Sequence, residues 1–356
     1  MLIGSIAIEV FAGNTTDHQT LAAQIVKLKQ RFGLAAVIVV CDRGMVTRAN
    51  LAALGETEGI GWITALKAPQ VKRLVTSGDL QLSLFDETNL AEIESDQFPG
   101  ERLVVCRNPL VGAERTRKRS QLLAATEREL EAIRERVVKG TLGGAAAIGP
   151  AVGPAVKRYR MAKHYQLEIT DDHFSFTPKQ AEIAAEAALD GIYVLRTNAP
   201  AHELASAEVV RSYKSLARVE RAFRSFKGPL EIRPIGHRLE DRVRAHVFIC
   251  MLAYYLSWHL QEAWAELLFK DECPPSPADP VTKAKRSTAA TRKAASKHTT
   301  DGHPCHSFPS LIAELGLRTR NTIRLQGSEA SFDQHTEPSA LQARALELIE
   351  TIPKHT

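Results

Sequence analysis

Tyr213, Glu220 and Lys227 recur at seven-residue intervals in the stretch SYKSLARVERAFRSFKGPLEIRPIGHRLEDRVRAHVFIC. Seven residues is close to two helical turns, so the three side chains share one face of a helix, and Arg224 joins them one turn past Glu220. One carboxylate among cationic groups suits metal-assisted work on a polyanion. A second carboxylate, Asp42, closes the apolar run AAVIVVC. That run reads as a buried strand, and the carboxyl end of such a strand is where α/β proteins place reacting groups. Gly44 leaves room for close approach, and Arg43 can meet a phosphate. Carboxylate oxygens are the hard donors Mg²⁺ prefers, with water and substrate phosphates completing its shell. Two such ions about 3.5–4 Å apart stabilise the attacking and leaving oxygens of an in-line displacement. A centre of that kind ordinarily takes a third carboxylate. Each residue also has a plainer reading: Asp42 caps the turn that follows it, and Glu220 pairs with Arg224 on a solvated face.

These residues need an ordered layer to hold them. Ile3 to Phe11 is apolar and β-rich and ends at the turn Gly13-Asn14; Asp17 then caps a helix over His18 to Arg31 that Gly33 closes. Ala35 to Cys41 is a strand apolar on both faces, a helix follows from Ala49 to Leu54, and Gly61 to Leu66 is a further strand. The alternation predicts an α/β layer architecture. Beyond it, Leu103 to Cys106, Gln166 to Ile169 and Asp190 to Thr197 read as strands, and Thr116 to Val138 as a charged amphipathic helix. Residues 141–154, TLGGAAAIGPAVGP, read as a flexible link; they lack the lysine and hydroxyl of a nucleotide-binding loop. A helix starts near Ala205, and another, largely buried, runs from Leu239 to Leu268 with Val243, Val247, Ala253 and Trp258 among its apolar positions. Pro274 to Thr300 is proline-rich and then basic, and predicts a disordered linker; Phe308 to Leu315 and Leu341 to Ile349 predict short helices of a loose tail.

Charge and cysteine usage narrow the classes. The net charge is +5, from 46 Lys and Arg against 41 Asp and Glu, and the basic residues gather at Arg115–Arg119, Lys157–Lys163, Arg211–Lys227 and Lys283–Lys297. Such patches meet phosphates if they share a surface, and are solvated faces if they do not. The five cysteines form no CxxC pair, which argues against a zinc ribbon or a disulfide framework and fits a reducing cytoplasm. His246 and Cys250 lie four apart but lack further ligands, so core packing is the expected role; His202 and His237 are expected at the surface. The start lacks a basic leader, and no run reaches the roughly eighteen apolar residues of a membrane span.

From Tyr213 to Lys227 the chain resembles the signature of DDE transposases of the insertion-sequence-four group: Tyr, two residues, Arg, three residues, Glu, six residues, Lys. Tyr213, Glu220 and Lys227 fall in register. The arginine position holds Leu216, with Arg218 two residues on as a stand-in. The continuation LEIRPIGHRLEDRVRAHVFIC is also similar to this family, and the likeness runs from Met1 to Leu268. It implies a ribonuclease-H-like mixed sheet with flanking helices and a partly β-stranded insertion. The expected division is then 1–70 for the first part of the core, 71–200 for the insertion and 201–270 for the rest of the core with its glutamate helix. A basic linker at 271–304 and a tail at 305–356 follow. By the same resemblance Asp42 is the second catalytic aspartate, Glu220 the catalytic glutamate, and both hold Mg²⁺ or Mn²⁺. Arg43, Tyr213, Arg218, Arg224 and Lys227 would position double-stranded DNA at transposon ends and on the target, within a homodimer.

The family's first aspartate lies on a strand preceding the one that reaches the Gly-Asn turn. Ile3 to Phe11 already takes that later place, so the resemblance implies that the first core strand, its aspartate and the family's N-terminal DNA-binding region are lacking. Asp17 sits past the turn, and Asp171 and Asp172 belong to the insertion. Two outcomes follow: a transposase that cleaves and transfers DNA strands, or an inactive relative that only binds DNA or another chain. A different ribonuclease-H-like nuclease would need another carboxylate converging on Asp42 and Glu220.

Overall fold

A computed structural model describes residues 9–15, 17–43, 51, 54, 58–275, 279–282, 285–324, 326–327 and 329–350. Gly44, most of the expected strand Ile3–Phe11 and most of the expected helix Ala49–Leu54 lie outside these; residues 9–11 carry no strand, while Leu51 and Leu54 are helical. The chain divides into two compact units, Thr16–Leu216 with Asp279–Thr282, and Met1–Thr15 with Ala217–Ala278 and Lys283–Thr356.

The first unit is built on a five-stranded sheet. Helix α1 (Asp17–Phe32) leads to β1 (Val37–Val40) and then β2 (Ile60–Ala65), followed by α2 (Ala68–Ser77), β3 (Leu90–Ile93) and β4 (Arg102–Arg107). Later in the chain β7 (Ile192–Thr197) enters between β2 and β4, giving the order β1-β2-β7-β4-β3. β1 and β2 run parallel, Val37 opposite Ile60, and every other pairing is antiparallel. Alternate residues of β4 go to opposite faces. Leu103 and Val105 join Val71 and Leu74 of α2, whereas Val104 and Cys106 join Val209 and Val210 of helix α6 (Ser206–Lys227). A sheet buried on both faces explains why these strands read as continuous apolar runs.

Between β4 and β7 stands an insertion. Asn108 accepts from the backbone N–H groups of Leu110 and Val111, and Pro109 opens the 30-residue helix α3 (Pro109–Val138). Gly191, at φ 79°, lets the start of β7 pass the mouth of α3; a Cβ there would stand 2.4 Å from the Asn108 carbonyl oxygen. The supposed link at 141–154 is a helix instead. Within α4 (Ala145–Arg158), Ile148, Val152 and Val156 recur every four residues and pack on Leu130, Ile133 and Val137 of α3 and on the hairpin β5 (Tyr165–Ile169) and β6 (Phe174–Pro178). Pro150 and Pro154 fall on its exposed side, where water can meet the carbonyls they leave free. Asp171, set in the loop of the hairpin, accepts the Ala145 N–H at 2.9 Å and its own carbonyl takes the Gly144 N–H at 2.6 Å. Asp171→Ala should therefore lower stability by about 1 kcal/mol, the usual worth of an N-terminal cap, read as a shift in the denaturation midpoint without a change of slope. Helix α5 (Gln180–Ala187) completes the insertion.

The second unit carries residues 217–227 of α6, then α7 (Glu240–Ala263), α8 (Thr288–Ser296), α9 (Phe308–Leu315), the hairpin β8 (Arg320–Arg324) and β9 (Ser331–His335), and α10 (Ala340–Glu350). Its core forms around Trp264, Leu267, Leu268, Leu311, Leu341 and Ala345, and the Trp264 indole N–H donates to the Ala345 carbonyl at 2.8 Å. The two terminal helices are thus anchored by a core rather than loose. The basic segment expected to lack order holds α8. Ser287 caps that helix and is itself fixed by Asp271, and the Lys293 ammonium reaches Ala265 O, Glu266 O and the Glu272 carboxylate just past the end of α7. A cation at the carbonyl end of a helix satisfies acceptors that have no partner within it. α7 is less buried than its sequence suggests. Of its residues Val247 and Cys250 are buried, whereas Phe248, Ile249, Leu252, Tyr255 and Leu256 are exposed.

A mixed parallel and antiparallel sheet with flanking helices and a β-hairpin insertion is a ribonuclease-H-like α/β fold. Among the described residues no helix is long and apolar enough to cross a membrane.

Candidate nucleic-acid interface and metal site

Asp42 stands two residues beyond β1. The Cys41 N–H continues the parallel ladder to Ile63 O at 2.9 Å, which holds the chain in line up to the aspartate. The Asp42 carboxylate is exposed and accepts the Arg43 N–H at 2.7 Å, so the capping role and an open carboxylate coexist. Cys41 behind it is buried, and burial pushes its thiol up from the usual range, as befits a packing residue rather than a nucleophile. Arg43 opens into a cleft of the same unit.

The other predicted residues lie along α6, whose first half is fixed firmly in the first unit. Val209 and Val210 are fully buried in the sheet core. Ser206 donates to Glu92, and Arg102 grips the same carboxylate at 2.7 Å while reaching the carbonyls of Ala199 and Leu204. The Arg102 hydrogen bonds, with that from Ser206, hold the Glu92 carboxyl below the usual carboxylate range. Tyr213 is half-buried against this core, so its ring packs as well as facing the helix surface. Lys214, one residue on, donates to the carbonyls of Pro280, Val281 and Thr282 at 2.5, 2.7 and 2.9 Å. Burial lowers its pKa, opposed by the charge of Asp279. Nothing in the sequence marks this lysine as the tie for a segment more than sixty residues away.

In the second unit α6 is held by Phe226, buried with its ring 4.9 Å from that of Tyr254. Arg218, Glu220, Arg224 and Lys227 are all exposed. Arg224 lies 3.4 Å from Glu220 with side chains 76% and 70% exposed, an i,i+4 pair worth little in water. Lys227 lies over the Phe223 ring at 5.8 Å. His202 is exposed beside Glu203, and Cys250 is buried and donates to Leu230 O at 3.4 Å, as a core thiol does. Asp42 belongs to the first unit and Glu220 to the second. Among the described residues no three His, Cys, Asp or Glu side chains converge as a metal site would require.

The five-stranded mixed sheet with its flanking helices and hairpin insertion is that of a ribonuclease-H-like protein. The Transposase DDE domain family matches residues 4–256, and the chain belongs to this family. No curated protein and no solved structure matches the chain.

Proposed function

We propose that this protein binds double-stranded DNA through the exposed half of α6 and does not cleave it with its own carboxylates. What supports the reading is the run of charges on that half-helix: Arg218, Arg221, Arg224 and Lys227 stand out with Glu220 as the single acid among them. Such a face meets phosphates, and binding of this kind releases counterions and falls steeply with salt. By the family resemblance Asp42 and Glu220 would be the ligands of Mg²⁺ or Mn²⁺, each offering hard oxygen donors of the kind these ions prefer. Such an ion would supply Lewis-acid stabilisation to a phosphate under attack. Asp42 would present its free oxygens at the strand end, and Arg224 and Lys227 would neutralise the backbone. Among the described residues no third carboxylate converges with Asp42 or Glu220, and an ion held by fewer ligands would place the phosphate less well; an error of about 1 Å can cost roughly a hundredfold in rate.

The second reading is metal-dependent strand cleavage and transfer at transposon ends, in a homodimer. It is favoured by the extent of the family match, which includes both Asp42 and Glu220. A supercoiled plasmid separates the two. The expected outcome is retarded mobility at low salt and no nicking with Mg²⁺ or Mn²⁺. Metal-dependent nicking that Asp42→Asn abolishes would overturn it in favour of the cleaving enzyme.

A further inference from the structure

Four residues sit apart from their neighbours in sequence. Asp279–Thr282 belong to the first unit, whereas Ala217–Ala278 and Lys283–Thr356 on either side belong to the second. They form a turn closed on itself: the Asp279 carboxylate accepts the Val281 N–H at 2.8 Å, and the Thr282 hydroxyl donates to the Asp279 carbonyl at 3.2 Å. Among the described residues no backbone-to-backbone hydrogen bond joins this turn to the rest of the unit. Side chains hold it instead. Asn89 Nδ2 donates to the other Asp279 carboxylate oxygen at 2.8 Å, Asn108 Nδ2 to Val281 O at 3.2 Å, and Lys214 Nζ to the carbonyls of Pro280, Val281 and Thr282. The Val281 side chain is fully buried in one core with Cys106, Val209 and Val210.

Each half of this contact is built without the other. Asn108 is oriented by its cap on α3, where its Oδ1 accepts from Leu110 and Val111 and leaves the amide N–H groups to donate. Asn89 precedes β3, and its carbonyl takes the Arg107 N–H at 3.0 Å. Lys214 follows the buried pair Val209 and Val210 by one turn of α6. The turn brings its own internal hydrogen bonds and a proline that fixes its backbone. A preformed segment meeting a preformed receptor loses little freedom on binding. Three carbonyls on one ammonium require no particular side chain, so recognition rests on the two that are read, an acid and a branched apolar residue two places on. We propose that Asn89, Asn108 and Lys214 form a peptide-binding site for an Asp-Pro-Val-Thr turn, filled by the chain's own residues 279–282 as a releasable latch. The site does not depend on the DNA-binding reading, which concerns the other half of α6. An empty site would leave the Lys214 ammonium beside an apolar wall without its three acceptors, so the seated latch is favoured until a competitor replaces it.

The probe is a synthetic peptide of residues 276–282, SPADPVT, carrying a fluorophore at its N-terminus and an amide at its C-terminus. A tethered ligand competes at an effective concentration on the order of millimolar, so the parent chain should bind the peptide about tenfold more weakly than Val281→Arg does. In that variant the latch is too large to seat and is repelled by Lys214, while the site itself is unchanged. Adding Lys214→Met to Val281→Arg should abolish the gain, and a scrambled peptide should bind neither protein. Fluorescence anisotropy reads the affinities, and circular dichroism establishes that the variants are folded. A second measurement needs no variant. On the parent chain, millimolar unlabelled peptide should speed tryptic cleavage after Lys285 severalfold, because displacing the latch frees the chain beside it, and scrambled peptide should not. The proposal is overturned if folded Val281→Arg binds the peptide no better than the parent does, or if Lys214→Met leaves that binding in place. It is overturned equally if the peptide leaves the cleavage rate of the parent unchanged, since residues 279–282 are then a fixed part of the unit.

Discussion

Converting Arg218, Arg224 and Lys227 together to glutamine should weaken duplex binding roughly a hundredfold to a thousandfold near 0.1 M salt and flatten the slope of log affinity against log salt by about 2.7. The size follows from counterion release, at about 0.9 in slope for each phosphate neutralised. Stability should hardly move, because all three side chains are exposed and the Arg224–Glu220 pair is a surface one. Glu220→Gln is the informative companion. If Glu220 serves only as a partner to Arg224, removing its charge frees a cation, and duplex binding should tighten by a few-fold, most visibly at low salt. If Glu220 holds a metal ion on which DNA binding depends, the same change should weaken binding, and only when Mg²⁺ is present. Affinities measured across a salt series, with and without Mg²⁺, distinguish the two. A triple variant that binds with unchanged slope would remove α6 from the interface.

The sheet was legible wherever strands were continuous apolar runs. Val37–Val40, Ile60–Ala65, Arg102–Arg107 and Ile192–Thr197 each lie within or next to an expected strand, because a strand covered on both faces leaves no polar alternation to interpret. β3 escaped notice: LAEI is short, mixed and at the sheet edge, where solvent takes one side of the ladder. α4 was hidden by composition. Its glycines and prolines look like a linker, and only the spacing of Ile148, Val152 and Val156 discloses a helix with an apolar stripe. α8 was hidden for another reason. Its order comes from Asp271 and from carbonyls near the end of α7, partners that local sequence does not contain.

The candidate site shows the same division. Asp42 could be placed by the rule for strand ends, and Arg218, Glu220, Arg224 and Lys227 by helical spacing, since both depend on neighbours in sequence. The cleft could not. Thr64, Glu101 and Arg196 come from β2, the approach to β4, and β7, and only the pairing of those strands brings them to one face. Tyr213 illustrates a mixed case: helical spacing puts it in line with Glu220, yet the first unit's core takes part of its ring.

Asp190→Ala should cost about 3–5 kcal/mol, the largest loss expected from a single change in the first unit, because it leaves Arg119 buried without its counter-charge. The two side chains are each 9% exposed and in direct contact, and the Thr116 hydroxyl donates to the same carboxylate at 3.0 Å. Asp190 precedes Gly191 and the start of β7, so the pair pins the base of α3 to the central strand that also carries Arg196. A buried ion pair is not stabilising merely by existing, since both charges are taken out of water. Breaking one half is the damaging event. Arg119→Leu combined with Asp190→Leu should therefore be far less harmful than Asp190→Ala alone, even though both remove the same two hydrogen bonds to the Asp190 carboxylate. Denaturant unfolding of the three proteins tests this directly: a single variant within about 1 kcal/mol of the parent would mean that the pair behaves as a surface contact. A double variant no better than the single would mean that Thr116 and the packing of α3, rather than the unpaired charge, set the cost.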